Sequence, residues 1–170
     1  MRILPLLLAA GLITACTDSQ PPTTNLAADE LSLVQDQLAL KRLVDDFSVL
    51  ADRKDVAGQM ELFTDDATVT SYRSGQAGRP LVGKDSIGTA FANFLDLFDV
   101  VYHHNGQQTV EIDGDEATGV AYCLVVLIRQ DAEGQSVKRT MGVRYDDRYR
   151  RVDGKWLIAE RRSYFEWEGE

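Results

Sequence analysis

The sequence has few of the residues that build crosslinks or metal sites. Its 170 residues include two cysteines, Cys16 and Cys123, and two adjacent histidines, His103 and His104. Because neighbouring side chains of a strand point to opposite faces, both histidines cannot hold the same ion. With no third histidine in the chain, we expect no metal site.

Basic residues are also scarce. The chain has 18 Lys and Arg against 27 Asp and Glu, a formal net charge of −9. Nucleic acids and anionic lipid surfaces attract proteins with the opposite balance. The sequence therefore argues against a nucleic-acid partner and against electrostatic binding to membranes. It also lacks internal repeats.

The N-terminus lacks an apolar run long enough to span a bilayer. Residues 3–14 form an apolar stretch of 12 residues behind Arg2, which suits a signal peptide. It ends in Ile13-Thr14-Ala15-Cys16, which resembles the lipobox of bacterial lipoproteins. The resemblance implies a signal peptide over 1–15 and lipid on Cys16. The expected location is the cell envelope, on the periplasmic side in a Gram-negative host. An ordinary signal peptide with a chance cysteine is the alternative.

The rest of the chain divides into a tether and one domain. Residues 16–28 combine the lipidated cysteine with a polar, proline-containing segment that is typical of a flexible tether. Residues 29–170 have the length of a single domain. Cys123 lies in the apolar run "AYCLVVLI" and is predicted to be a small buried hydrophobic residue. With Cys16 lipidated, no internal disulfide is possible.

Apolar residues first recur at helical spacing and then change to strand patterns. The spacing predicts helices over 29–51, over "VAGQMELF" with Asp55 as its cap, and over 84–98. "DDATVTSY" is predicted to be a short strand, and residues 74–83 a loop.

From Val100 to Trp167 the pattern predicts four long antiparallel strands separated by turns such as Asp113-Gly114. Long strands must twist, and Gly106, Gly119 and Gly142 are candidate bulges. Helices followed by a curved sheet indicate an α+β fold. A bent sheet with helices inside its curve leaves a conical cavity, a natural small-molecule site.

Four segments carry a family resemblance: "LFTDDATV", "LVGKDSI", "VEIDGDEA" and "GKWLIAERR". They resemble the SnoaL-like domains, which share the cone-shaped fold of nuclear transport factor two, scytalone dehydratase and ketosteroid isomerase. The resemblance covers about residues 38–164. It implies three N-terminal helices packed in a strongly curved antiparallel sheet. The fold alone does not give the function, because it hosts enzymes and binding modules alike.

The resemblance to scytalone dehydratase implies three site residues. The run Asp52-Arg53-Lys54-Asp55 matches the run of its catalytic aspartate and points to Asp52. "SYRS" matches the run of a tyrosine that binds the substrate carbonyl through water, and points to Tyr72. "HHNG" matches the run of its catalytic histidine and points to His103.

Strand alternation favours the other histidine. If Val110 and Ile112 face inward on an unbroken strand, His104 shares their face and His103 does not. One bulge at Asn105-Gly106 would reconcile the alternation with the resemblance, which favours His103. Two exposed histidines at the start of a strand are a third interpretation.

The sequence also departs from the family. Ala51 and Phe47 stand where family members have tyrosines, and no histidine after His104 matches the second histidine of the dehydratase. Ser71 stands where ketosteroid isomerase carries its aspartate base. The alternatives to catalysis are a turn residue at Asp52 and a packed strand aromatic at Tyr72. Phe94 and Phe98 are mainly core residues that could line the cavity.

Two functions remain open. The first is a cofactor-independent dehydratase, cyclase or isomerase, in which Asp52 and His103 move a proton next to a carbonyl of a small apolar substrate. Tyr72 would steady the oxygen, and Phe94 and Phe98 would contact the substrate. The second is a non-catalytic module that holds an apolar ligand or docks a partner at the envelope. A homo-oligomer, dimer or trimer, is expected in either case.

Overall fold

Three helices open the part of the chain that the computed structural model describes, residues 26–169. They are α1 at Leu26–Asp52, α2 at Val56–Met60 and α3 at Lys84–Leu95. The predicted ends of the long helices are correct to within three residues. As predicted, the Asp55 side chain caps α2 by accepting a hydrogen bond from the Gly58 N–H at 2.9 Å. This helix is shorter than predicted because the chain enters a strand at Phe63.

The first half of α1 contacts the rest of the described chain through Asp36, which accepts hydrogen bonds from Arg151 and Trp156, and only the second half buries an apolar face. Its apolar face is buried from Leu40 to Ala51, whereas Leu31 is 58% exposed and Leu38 is 65% exposed. The helical period therefore predicted the helix but not the length of its buried face. The buried half ends at Asp52, one of the predicted site residues.

Seven strands form one sheet in the order β2-β1-β7-β6-β5-β4, with β3 paired to β1. They are β1 at Phe63–Arg73, β2 at Gln76–Ala77, β3 at Leu81–Val82, β4 at Val100–Asp113, β5 at Glu116–Gln130, β6 at Ser136–Val152 and β7 at Lys155–Gly169. The four long antiparallel strands are confirmed. The predicted loop at 74–83 instead contains the two short strands β2 and β3, both paired with β1.

One strand pairing has no local signal in the sequence. β1 runs parallel to β7, with Val69 opposite Arg161 and Ser71 opposite Ser163. A parallel pair needs a long crossover, and here 81 residues separate the two strands, from residue 74 to residue 154. This pairing brings the end of β1 to the wall of the cone beside β7.

Glycines act differently at the three predicted bulge positions. The ladder is irregular beside Gly106 and between Gly142 and Val143, as predicted. Gly119 stays in register opposite Val110. A Cβ there would lie 3.0 Å from the Thr109 carbonyl oxygen and from the ring of Tyr149. Gly119 therefore permits close packing and is not a bulge, so that prediction is wrong.

The core fills the space between the helices and the concave face of the sheet. Phe47 of α1 contacts Phe63 and Phe91 edge to face, with ring centroids 6.0 and 5.9 Å apart. Cys123 is buried as predicted, and burial raises the pKa of its thiol to about 12.

The architecture confirms the predicted α+β cone. None of the helices within residues 26–169 is both long and apolar enough to cross a membrane.

Candidate functional site

A cavity of about 240 Å³ lies between the helices and the concave face of the sheet. Much of its wall is apolar, including side chains from α1, α3 and three strands: Phe47, Phe91, Phe94, Val125, Met141 and Phe165. His103, Gln59 and Arg161 are among its few polar residues, and within residues 26–169 no Asp or Glu lines it. An apolar cavity with a few polar groups is the usual form of a small-molecule site.

His103 lies in the wall of this cavity and contacts Asp52, which lies behind the wall. The Nδ1 atom of His103, on β4, lies 2.7 Å from Oδ1 of Asp52, the last residue of α1. The His103 side chain is 9% exposed and that of Asp52 is 27% exposed. A carboxylate can only accept, so Nδ1 carries the hydrogen, and in the neutral ring Nε2 then carries the lone pair. The catalytic roles of both residues stay a prediction.

A bulge in β4 decides which histidine faces inward. Asn105 pairs with Cys123 and Gln108 pairs with Ala121, so two residues of β4 oppose one residue of β5. The extra residue places His103 on the same face as Val110, at the position that the sequence marked by Asn105-Gly106. His104 lies on the convex face, exposed to solvent.

Asn105 ties the bulged strand to α1. Its amide nitrogen donates to the Val44 carbonyl at 3.2 Å and to Asp45 Oδ1 at 3.0 Å. The Ser48 hydroxyl donates to its amide oxygen at 2.9 Å. Asn105 lies two residues beyond His103 in β4. These bonds therefore hold the part of β4 that carries His103 against α1, the helix that carries Asp52. The sequence analysis did not identify this role.

Arg161 forms a buried ion pair beside the cavity. Its Nε and Nη2 atoms donate to the two carboxylate oxygens of Asp147 at 2.9 and 2.6 Å, and Tyr149 donates to the same carboxylate at 3.0 Å. Both side chains of the pair are at most 1% exposed. Burial by itself lowers the pKa of Arg161, but the Asp147 carboxylate outweighs burial and raises it.

The guanidinium group of Arg161 is also held by two aromatic rings. Its Cζ atom lies 4.2 Å from the ring centroid of Phe47 and 4.3 Å from that of Tyr145. Its third nitrogen, Nη1, has no hydrogen-bond partner. Arg161 thus places a firmly held guanidinium group, with one unpaired nitrogen, among the residues that line the cavity. The sequence analysis missed it, because a charged residue in an Arg-Arg pair is typical of a solvent-facing surface.

Gln59 of α2 is the second polar residue that the sequence analysis missed. It is 1% exposed, and its amide nitrogen donates to the Phe47 carbonyl at 3.2 Å. Its Oε1 atom has no partner. A glutamine within the otherwise mostly apolar segment "VAGQMELF" was the available signal.

Tyr72 does not lie in the cavity, contrary to the prediction. Ser71 and Arg73 line the cavity, so strand alternation places Tyr72 on the convex face. There its ring stacks on Tyr164, with centroids 4.5 Å apart and planes 17° apart. The predicted contact of Tyr72 with a substrate oxygen is therefore wrong for this cavity.

Of the two predicted binding residues, one lines the cavity. Phe94 lies in its wall, whereas Phe98 packs against Phe94 from outside, with ring centroids 5.3 Å apart. Phe98 lies beyond the end of α3 at Leu95, where the chain turns toward β4.

The remaining predicted site residue, Cys16, lies outside the described residues. Within residues 26–169, no group of three or more metal-ligating side chains is present.

Solved structures resemble this chain at low sequence identity. A protein of Novosphingobium aromaticivorans DSM 12444 provisionally named a scytalone dehydratase has 20% identity and a TM-score of 0.70, over 83% of this chain and 90% of that one. LinA has 21% identity and a TM-score of 0.66, over 83% and 90%. An NTF2-like protein with a cystatin-like fold, also from N. aromaticivorans, has 24% identity and a TM-score of 0.64, over 89% and 92%. At these identities the likeness establishes the fold.

The family follows from a different comparison. No curated protein matches the chain. The model of the SnoaL-like domain, however, matches residues 32–162, which is most of the sequence. The chain belongs to the SnoaL-like domain family.

Proposed function

We propose that this protein is an enzyme of the dehydratase or isomerase type that moves a proton next to a carbonyl of a small, largely apolar molecule. The observation that carries the proposal is the 2.7 Å contact between Asp52 and His103 at the wall of an apolar cavity. The family, and the resemblance to a scytalone dehydratase and to LinA, support this type of reaction.

The contact suits general base catalysis by His103. With Nδ1 donating to Asp52, the Nε2 lone pair accepts a proton from the carbon beside the carbonyl. The ionised Asp52 stabilises the resulting imidazolium and keeps the ring in the required tautomer. The carbonyl itself acidifies the carbon, so the proton transfer needs no cofactor.

Two outcomes follow from the enolate. In a dehydration, the enolate re-forms the carbonyl and a carbon–carbon double bond as the bond to a β-hydroxyl group breaks. The imidazolium of His103 gives its proton to the departing oxygen, which leaves as water. In an isomerisation of a β,γ-unsaturated carbonyl compound, the proton returns to the γ-carbon of the dienolate, and the double bond comes to lie between the α- and β-carbons.

Arg161 takes the place of Tyr72 as the group that binds the oxygen. Its Nη1 atom is an unpaired donor on a guanidinium that Asp147 and two rings hold in place. A fixed donor in a cavity of low polarity stabilises an oxyanion more strongly than a donor in water does. The negative charge that develops on the carbonyl oxygen would be stabilised there.

Deuterium exchange tests the proton transfer without knowledge of the natural substrate. We expect the protein to speed the exchange of the methyl protons of 2-acetonaphthone in D₂O, followed by NMR. Replacing His103 with glutamine should slow the protein-dependent exchange by about 10²–10⁴-fold, the usual contribution of a general base.

His104→Gln is the matched control for this experiment. It makes the same substitution one residue away, on the convex face, and should leave the exchange rate unchanged. Equal rates for the wild-type protein and His103→Gln, with both folded by circular dichroism, would rule out the proposed role of His103.

A non-catalytic binding module is the second candidate function. Phe47 and Ala51, which occupy the positions of family tyrosines, both line the cavity and leave it with fewer proton-transfer groups. If 2-acetonaphthone binds but its protons do not exchange faster than in buffer, the binding module becomes the better description.

We also propose that Cys16 carries lipid and anchors the domain at the cell envelope, with the residues between Cys16 and Leu26, where α1 begins, as the tether. The proposal rests on the apolar stretch that ends at Ile13-Thr14-Ala15-Cys16. Cells fed a labelled fatty-acid analogue should label the wild-type protein and not Cys16→Ala. The control Cys123→Ala should keep the label, and equal labelling of wild type and Cys16→Ala would refute the anchor.

The convex face supports a further proposal, that copies of this chain associate. Tyr102 and Tyr122 are half exposed there, and Leu124 is partly exposed beside them on the neighbouring strands β4 and β5. Neighbouring exposed apolar side chains are typical of a protein interface. A dimer or a trimer is compatible with this face.

A further inference from the structure

Two polar atoms without partners belong to residues that line the cavity. Among the buried side-chain atoms of residues 26–169, Gln59 Oε1, Arg161 Nη1 and Gln108 Oε1 have no hydrogen-bond partner. Gln59 and Arg161 line the cavity, and Gln108 does not. An unpaired buried polar group destabilises a protein, so each such group needs an explanation. A ligand that supplies the missing partners is one explanation for this pair.

The two atoms require opposite partners. The amide nitrogen of Gln59 donates to the Phe47 carbonyl, which can only accept, so the orientation of the amide is fixed. Its Oε1 atom is therefore an acceptor that needs a donor. Arg161 has only donors, and the bidentate contact with Asp147 leaves Nη1 unused. A ligand that satisfies both atoms must carry an acceptor and a donor.

The charges around the cavity favour a neutral ligand. The charge of Arg161 is already balanced by Asp147, with which it forms a fully buried pair. Arg73, the other arginine that lines the cavity, is paired with Glu168. A carboxylate ligand would offer only acceptors and would leave the Gln59 oxygen without a donor. Its negative charge would also repel the partial negative charge of that amide oxygen.

We infer that Gln59 and Arg161 form a recognition pair for a neutral, largely apolar ring compound with a hydrogen-bond donor beside its carbonyl. The carbonyl oxygen accepts from Arg161 Nη1, and an O–H or N–H group donates to Gln59 Oε1. This inference deepens the proposed function, on which it rests for the location of the site, by naming the ligand class. Gln59 becomes a specificity-determining residue.

Three naphthalene compounds of nearly the same shape test this pair by isothermal titration calorimetry. 2-Naphthamide carries a carbonyl and an N–H donor, 2-acetonaphthone carries the carbonyl alone, and 2-naphthoate carries a charged acceptor without a donor. We expect the amide to bind about tenfold or more tightly than the ketone, because only the amide satisfies the Gln59 oxygen. The carboxylate should bind most weakly of the three.

Gln59→Met supplies the matched variant, since methionine has a similar length and no acceptor of comparable strength. It should remove the preference for the amide and change the affinity for the ketone by less than about threefold. If this variant does not fold, the comparison of the three compounds on the wild-type protein decides by itself. An amide that binds no more tightly than the ketone, a carboxylate that binds best, or no binding at millimolar concentration would each overturn the inference.

This binding experiment can fail independently of the proposed function. The amide does not undergo the proposed reaction, so its affinity does not depend on proton transfer. If the amide preference holds and 2-acetonaphthone does not exchange, the recognition pair stands and the enzyme proposal fails. If exchange depends on His103 and the amide preference is missing, the reverse holds.

Discussion

Replacing Asp147 with alanine is expected to lower the free energy of unfolding by about 3–5 kcal/mol, the usual effect of removing one partner of a buried ion pair. The variant would leave the Arg161 guanidinium buried without its counter-charge, and would also leave the Tyr149 hydroxyl without its acceptor. Urea denaturation followed by circular dichroism measures the loss.

Asp66→Ala is the control for this prediction. Asp66 also accepts two hydrogen bonds from an arginine, Arg150, but its side chain is 70% exposed. Exposed ion pairs are screened by water and contribute little to stability, so its loss should be much smaller. Similar losses in the two variants would mean that Arg161 finds another partner when Asp147 is absent.

A second variant separates the charge from the packing. Adding Arg161→Met to Asp147→Ala should recover part of the lost stability, because an apolar side chain at that site needs no counter-charge. The double variant would keep the contacts with the rings of Phe47 and Tyr145 and lose the donor at the cavity. Such a recovery of stability would favour ligand binding, and not stability, as the reason for a buried arginine at this site.

The order of helices and strands could be read from the sequence because its signals are local. Each long helix has a 3.6-residue apolar period, and Gly114 and Gly154 adopt positive φ in the turns that follow Asp113 and Asp153. The parallel pairing of β1 with β7 could not be read in this way. It joins residues that are about ninety positions apart, such as Val69 and Arg161.

The candidate site was only partly predictable. The resemblance predicted that His103 faces the cavity, whereas alternation along an unbroken strand predicted His104. A bulge at Asn105-Gly106 was the predicted way to reconcile them, and the ladder is irregular between Asn105 and Gln108. The prediction that Tyr72 lies in the cavity was wrong because the "SYRS" match carries no information about the face of β1 on which each side chain lies. Gln59 and Arg161 were missed for a physical reason: polar side chains are buried only with partners, and those partners, Phe47 and Asp147, come from other elements.

Replacing Asp52 with asparagine is expected to slow the exchange of 2-acetonaphthone by about 10²–10⁴-fold, although Asp52 itself need not touch the ligand. A neutral amide cannot stabilise the imidazolium as a carboxylate does. Its N–H can also donate to Nδ1 of His103, which favours the tautomer with hydrogen on Nε2. In that tautomer the nitrogen that should accept the proton carries one already.

Asp55→Asn is the control for this effect. Asp55 belongs to the same Asp-Arg-Lys-Asp run, but its carboxylate caps α2 through the Gly58 N–H. An asparagine keeps that cap, so the exchange rate should not change.

Two further measurements separate a positioning role of Asp52 from a structural one. Nitrogen-15 NMR of labelled histidine should find hydrogen on Nδ1 of His103 in the wild-type protein and on Nε2 in Asp52→Asn. The combination of Asp52→Asn with His103→Gln should exchange no more slowly than His103→Gln alone, because Asp52 acts only through His103. Additive losses, or an unchanged tautomer in a slow variant, would contradict the proposed dyad. Asp52 would then act on folding or on the ligand by another route.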